Sequence, residues 1–202
     1  MTSAISWTRV RWALYGALVA LIGVGFFVRD SLESEEDRLR RLIVARNETK
    51  LYPYLASPDA VLAKMAATGL WQCWRDEKGA TARQQLEAGL TAMNEGRYAT
   101  AENTFRQLIR EYPDWAEAIN SQATLLYALR RPAESLVLCE QVVTLKPHHF
   151  GAWNGMALCA AQLGDWPRAR HAVRQVIRLH PYSRENQEFL RQIERHIPAL
   201  DV

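Results

Sequence analysis

From residue 82 to residue 197 the apolar positions recur every three or four residues, the spacing that gathers them on one face of a helix. The pattern is broken at short intervals by Gly, Pro and charged residues. It predicts helices over 82–95, 98–111, 116–129, 132–145, 150–163, 166–179 and 183–196. Every predicted element is a helix, so the predicted fold class is all-α.

The breaks are periodic. Pro113, Pro147 and Pro181 are 34 residues apart. Aligning on them superposes three turns: Gly96-Arg97-Tyr98, Arg130-Arg131-Pro132 and Gly164-Asp165-Trp166. Small residues fall in register at Ala101, Ser135 and Ala169, and again at Gly89, Ala123 and Ala157. Apolar residues follow the first set one turn later, at Phe105, Cys139 and Val173. Small side chains let two antiparallel helices approach closely, and the larger ones a turn later fill the space towards the next pair. Proline cannot continue the second helix and so sets the turn into the next unit.

A 34-residue unit of this kind resembles the tetratricopeptide repeat. Trp153 meets the family's tryptophan position, whereas Gln85 and Ile119 do not, and Ala92, Leu126 and Ala160 replace its tyrosine. The resemblance covers Ala82 to Pro181 and implies a right-handed α-solenoid of three helix pairs (about 82–115, 116–149 and 150–183). The helix from Ser183 to Ile197 supplies a polar-faced cap, with Phe189, Leu190 and Ile193 inward. In this family the first helix of each pair lines a concave groove that binds protein segments. The resemblance puts Leu86, Leu90, Met93 and Asn94, then Asn120, Thr124, Tyr127 and Ala128, then Asn154, Leu158, Ala161 and Gln162 in that groove. None of these is Lys or Arg, which disfavours the clamp that chaperone-binding members use on a terminal carboxylate. Leu86, Leu90 and Met93 would form an apolar end. Asn120 and Asn154 would align two amides, each with donors and an acceptor for an extended or helical peptide.

The amino-terminal part has another pattern. Trp12 to Val28 is uncharged, 17 residues bounded by Arg11 and Arg29. As a helix it would extend about 26 Å, close to the thickness of a bilayer core. A cleaved signal peptide fits the basic start, but no small-residue cleavage motif precedes Arg29. A buried core helix is the third reading, and apolarity on every face of so short a chain weakens it. An uncleaved anchor is therefore predicted, with Trp7, Trp12 and Tyr15 near one interface. Basic residues lie on both sides, and an anchor led by Arg9 and Arg11 leans towards exporting the downstream domain, to a periplasm or lumen. Residues 30–48 are predicted as a charged stalk helix carrying the pairs Glu36–Arg40 and Asp37–Arg41, broken at Tyr52-Pro53-Tyr54. Ser57-Pro58 should start a short helix ending at Gly69, and Trp71 and Trp74 on the next should close the open end of the repeats. The domain plan is thus 1–28 tail and anchor, 29–79 stalk and short capping helices, and 80–202 repeats with their cap.

Composition changes little in this picture. Hydrophobic residues make 49% of the 202, which excludes a disordered chain, and 25 basic against 22 acidic residues exclude a strongly cationic nucleic-acid binder. Three Cys without close spacing give no metal ribbon, and Cys139 and Cys159 are expected as small buried hydrophobes rather than a required disulfide. His148-His149 reads as an inter-repeat turn. Arg170, Arg174 and Arg178 read as a solvated stripe, with contact to anionic headgroups as the other possibility. No nucleophile–base pair or phosphate loop appears, so no enzyme and no cofactor are expected. The reading is a membrane-anchored, non-enzymatic scaffold that binds a peptide segment or a subunit of a membrane complex. Nothing in the sequence supports homo-oligomerisation. Within the resemblance, two settings fit: anchored three-repeat factors that assist photosystem assembly, and anchored bacterial proteins that assist envelope proteins in a chaperone-like way. A permanent structural subunit of a membrane complex is the alternative.

Overall fold

The structure, a computed structural model, describes residues 33–197. They contain ten α-helices: α1 (Glu35–Val44), α2 (Glu48–Leu55), α3 (Ala60–Asp76), α4 (Gly79–Asn94), α5 (Tyr98–Glu111), α6 (Ala116–Ala128), α7 (Pro132–Leu145), α8 (Phe150–Gln162), α9 (Trp166–Leu179) and α10 (Arg184–Glu194). The expected span over 12–28 lies outside the described residues. Among the described residues no helix is long and apolar enough to cross a membrane. The chain divides into a unit ending at Arg41 and a larger one from Leu42.

Helices α4 to α10 fall where the sequence pattern places them, and the backbone bonds repeat with the sequence. Gly96, Arg130 and Gly164, one per pair, all adopt positive φ (75°, 60° and 76°). At each, the next residue's N–H reaches back over the helix end: Arg97 to Ala92 O, Arg131 to Leu126 O and Asp165 to Ala160 O, at 2.8–2.9 Å. This is the Schellman closure, which satisfies carbonyls that the helix leaves unpaired. The second helices end alike, with Tyr112, Lys146 and His180 donating to Leu108, Val142 and Val176 at 2.7–2.8 Å, one residue before each proline.

Packing follows the small–large code. Ala101, Ser135 and Ala169 are buried, as are Phe105, Cys139 and Val173. A Cβ at Gly89 would stand 2.5 Å from the ring of Phe105, so this position must be glycine for α4 and α5 to pack as they do. Ile193 is buried against the last pair, with Phe189 and Leu190 beside it, so α10 caps the stack as expected. Cys139 and Cys159 are free thiols. The Cys159 thiol donates to Ser135 Oγ at 3.2 Å, and Ser135 in turn donates to Ala123 O at 2.7 Å. Hydrogen bonding with Cys159, and burial, hold the Cys139 thiol above its usual range.

Before residue 79 the structure corrects several boundaries. The stalk helix is shorter than 30–48: Arg46 turns the chain at φ 52°, and Asn47 caps α2 by accepting from Lys50 N at 3.2 Å. Glu36–Arg40 forms, whereas Arg41 pairs with Glu33 and Asp37 bonds to Ser34. Pro53 lies inside α2 rather than breaking a helix. Asp59, not Ser57, caps α3, with Oδ1 accepting from Val61 N at 2.8 Å. Gly69 lies within α3, where a Cβ would come 2.6 Å from Ile43 Cγ1; it serves a close approach, not a helix end.

Candidate functional site: the inner helix face

The first helices of the three pairs, α4, α6 and α8, carry the expected groove residues. Leu86 has no exposed surface and belongs to the core of the first pair with Ala82, Ala101 and Phe105. Leu90 and Met93 are half-buried beside that core. Asn120 retains 8% exposure, and Asn154 is half-buried. Thr124, Leu158 and Gln162 are exposed, and Tyr127 is half-buried. Thr124 Oγ1 donates to Asn120 O at 2.9 Å. The side-chain amides of Asn120, Asn154 and Gln162 have no hydrogen-bond partner among the described residues.

One end of this face is occupied by the chain itself. Helix α3 crosses the starts of the first helices. Trp71 lies against Gly151, where a Cβ would be 2.4 Å from Cη2, and edge-on to Phe150 at 5.3 Å. Trp74, fully buried, stacks on His149 at 4.1 Å, and its carbonyl accepts from Trp115 Nε1 at 2.7 Å. Arg75 stands 3.6 Å from Glu117, and Asp76 holds Arg83 at 3.1 Å. Trp71 and Trp74 therefore do not close an open end of the repeats. They lie across the joints between them, because α3 continues past Gly69 and carries both rings along the inter-repeat turns.

His149 explains part of this anchoring. It caps α8, its Nδ1 accepting from Ala152 N at 3.1 Å, as Ser183 Oγ accepts from Asn186 N at 3.3 Å one repeat later. A ring nitrogen that accepts cannot carry the proton, so Nε2 does, 3.2 Å from Glu117 Oε2. Both residues are buried. Lys146 adds a clip 98 residues away in sequence, with Nζ 3.1 Å from Glu48 Oε2 and 3.3 Å from Glu77. Burial disfavours the Glu48 carboxylate, but hydrogen bonds from Tyr52, Trp74 and Lys146 outweigh it and hold its pKa below the ordinary value. A paired Trp at i and i+3, and a glycine in α8 where α6 has Glu117, were the signals for this contact.

The comparisons fit the geometry. Residues 86–149 and, overlapping them, 120–184 match the tetratricopeptide repeat family model. That segment carries tetratricopeptide repeats. A TPR repeat-containing protein of Rhizobium etli is 30% identical over 115 residues, 57% of this chain; the chain spans 56% of that relative's length. Among solved structures, the first TPR of Spaghetti (RPAP3) bound to an HSP90 peptide superposes with TM-score 0.55 at 20% identity, covering 56% of this chain and 90% of that one. The TPR2B domain of yeast Sti1 in complex with an Hsp70 peptide gives 0.53 at 15% identity, covering 57% and 98%. These likenesses show the fold, an all-α helical repeat.

Proposed function

We propose that this chain is a non-enzymatic, membrane-anchored scaffold that binds a protein segment on the α4–α6–α8 face and assists assembly or stabilisation of a membrane protein complex. The observation that carries the reading is the pair of amides at Asn120 and Asn154. They occupy the same position 34 residues apart, and neither has a hydrogen-bond partner among the described residues. An amide offers donors and an acceptor, so two in line can serve the backbone of an extended or helical peptide. Leu90 and Met93 supply an apolar end, Tyr127 and Leu158 side contacts, and Thr124 and Gln162 a polar rim; Leu86 supports them from beneath. The two solved relatives named above bind chaperone peptides. On this chain the groove positions carry no Lys or Arg, and Arg83 beside them is held by Asp76, so an acidic chaperone tail is not the ligand proposed. The uncharged run of residues 12–28 supports the anchor, which concentrates the repeats at a membrane surface.

Crosslinking pull-down of the full chain from native membranes tests the groove. Two backbone hydrogen bonds of about 1 kcal/mol each predict that Asn120→Ala with Asn154→Ala weakens capture roughly tenfold or more. Unchanged capture would refute the site. A partner recovered at fixed stoichiometry from the mature complex would instead indicate a permanent subunit.

A further inference from the structure

A second groove lies on the other side of α6. Gln122 is two residues from both Asn120 and Thr124, about 200° around the helix at 100° per residue, so it faces away from them. It lines a groove of about 510 Å³ between the second helices of the first two pairs, α5 and α7. Ile109, Leu126, Val137 and Leu138 form its apolar walls, and Val137 is 62% exposed.

Gln122 is out of place by the logic of the repeat. Its counterparts one period away, Ala88 and Met156, are apolar. Gln122 itself is only 4% exposed, and its Oε1 is buried with no hydrogen-bond partner. A buried, unsatisfied amide is destabilising, and nothing in the packing of α5, α6 and α7 requires one. With the oxygen turned inward and no internal bond made, the amide nitrogen is the end left to the groove. Around it the rim is rich in donors. Arg106, Arg110 and Arg131 line the groove against a single carboxylate, Glu134, which Arg131 already engages. Arg106 is held by Glu102, while Arg110 has no ion-pair partner among the described residues.

We propose that this groove docks a segment of a partner protein that presents an aliphatic side chain beside a carboxylate. The aliphatic group fills the space between Ile109, Leu126, Val137 and Leu138. The carboxylate accepts from Gln122 Nε2 and from Arg110, the guanidinium that no acid among the described residues engages. Charge complementarity selects an acidic over a basic segment. The site does not depend on the α4–α6–α8 groove, so either can fail alone.

The test uses the full chain in mild detergent and fluorescence anisotropy. The probe is a labelled peptide of alternating leucine and aspartate, with its leucine–lysine counterpart as control. The acidic probe should bind saturably and more weakly as salt rises, and the lysine probe should not bind. Since hydrogen bonds to charged groups are worth about 1.5–3 kcal/mol, Gln122→Leu and Arg110→Glu should each weaken binding about tenfold or more. Gln122→Leu should also raise the Tm, because it removes the orphaned amide; a role confined to packing would give that rise without the loss of binding. Asn120→Ala with Asn154→Ala should leave the probe's affinity unchanged. Absence of saturable binding, equal binding of the lysine probe, or unaltered affinity in Gln122→Leu would overturn the proposal.

Discussion

Trp74→Ala offers the sharpest test of how the amino-terminal helices are joined to the repeats. The indole is fully buried, stacked on His149 at 4.1 Å and edge-on to Trp71 at 5.1 Å, and its Nε1 donates to Glu48 Oε1 at 2.9 Å. Truncating a buried Trp to Ala costs about 3–5 kcal/mol, from the lost transfer energy and the cavity left behind. Glu48 keeps Lys146 and Tyr52, so no buried charge is orphaned and no larger penalty arises. The hydrogen bond from Trp115 survives because its acceptor is the backbone carbonyl of residue 74. The loss should therefore be local. In a helical repeat each unit is stabilised mainly by its neighbours, so α8 and α9 should keep their stability while α3, still bonded to Trp115 through its residue-74 carbonyl, opens more readily. Hydrogen exchange resolves this: amides of α3 should lose protection equivalent to about 3–5 kcal/mol, those of α9 less than about 1 kcal/mol. If α3 lost less than about 1 kcal/mol, the cluster would not be what holds it, and the reading of Trp71 and Trp74 as the bridge to the repeats would fail.

Three further outcomes rest on single features. Glu48 has a folded pKa below its usual 4.5, so the folded state favours its charged form. Its stabilisation is complete above about pH 4.5 and is lost as pH falls through the lower folded value. Denaturant midpoints across that acid range should drop more steeply for the parent chain than for Glu48→Gln. Arg130 sits at φ 60° where its two counterparts are Gly96 and Gly164. Arg130→Gly should relieve backbone strain of about 1 kcal/mol, less the entropy glycine adds to the unfolded chain, for a net gain of up to about 0.5 kcal/mol in urea titration. Gly89→Ala should destabilise by about 1–3 kcal/mol despite alanine's better helix propensity, because Phe105 at 2.5 Å is fully buried and has nowhere to move. A neutral result there would show that α4 and α5 can separate freely.

The sequence by itself determined the repeat. Prolines, small residues and turn residues recurring every 34 positions act within a pair or between neighbours, and such short-range constraints are readable along the chain. Hence α4 to α10 lie where the pattern puts them, down to the Schellman turns at Gly96, Arg130 and Gly164. It misjudged Gly69 and Pro53, since neither residue marks a helix end when tertiary packing favours continuation; Gly69 is in the helix because Ile43 needs the space. Only the tertiary structure decided where α3 lies. The contacts of Trp71 with Gly151, Trp74 with His149 and Lys146 with Glu48 join residues 75 to 98 positions apart. No local periodicity encodes such pairings. Likewise Gln122 reads in sequence as one more polar helix residue. Its meaning depends on burial without a partner, which exists only once α5, α6 and α7 have closed around it.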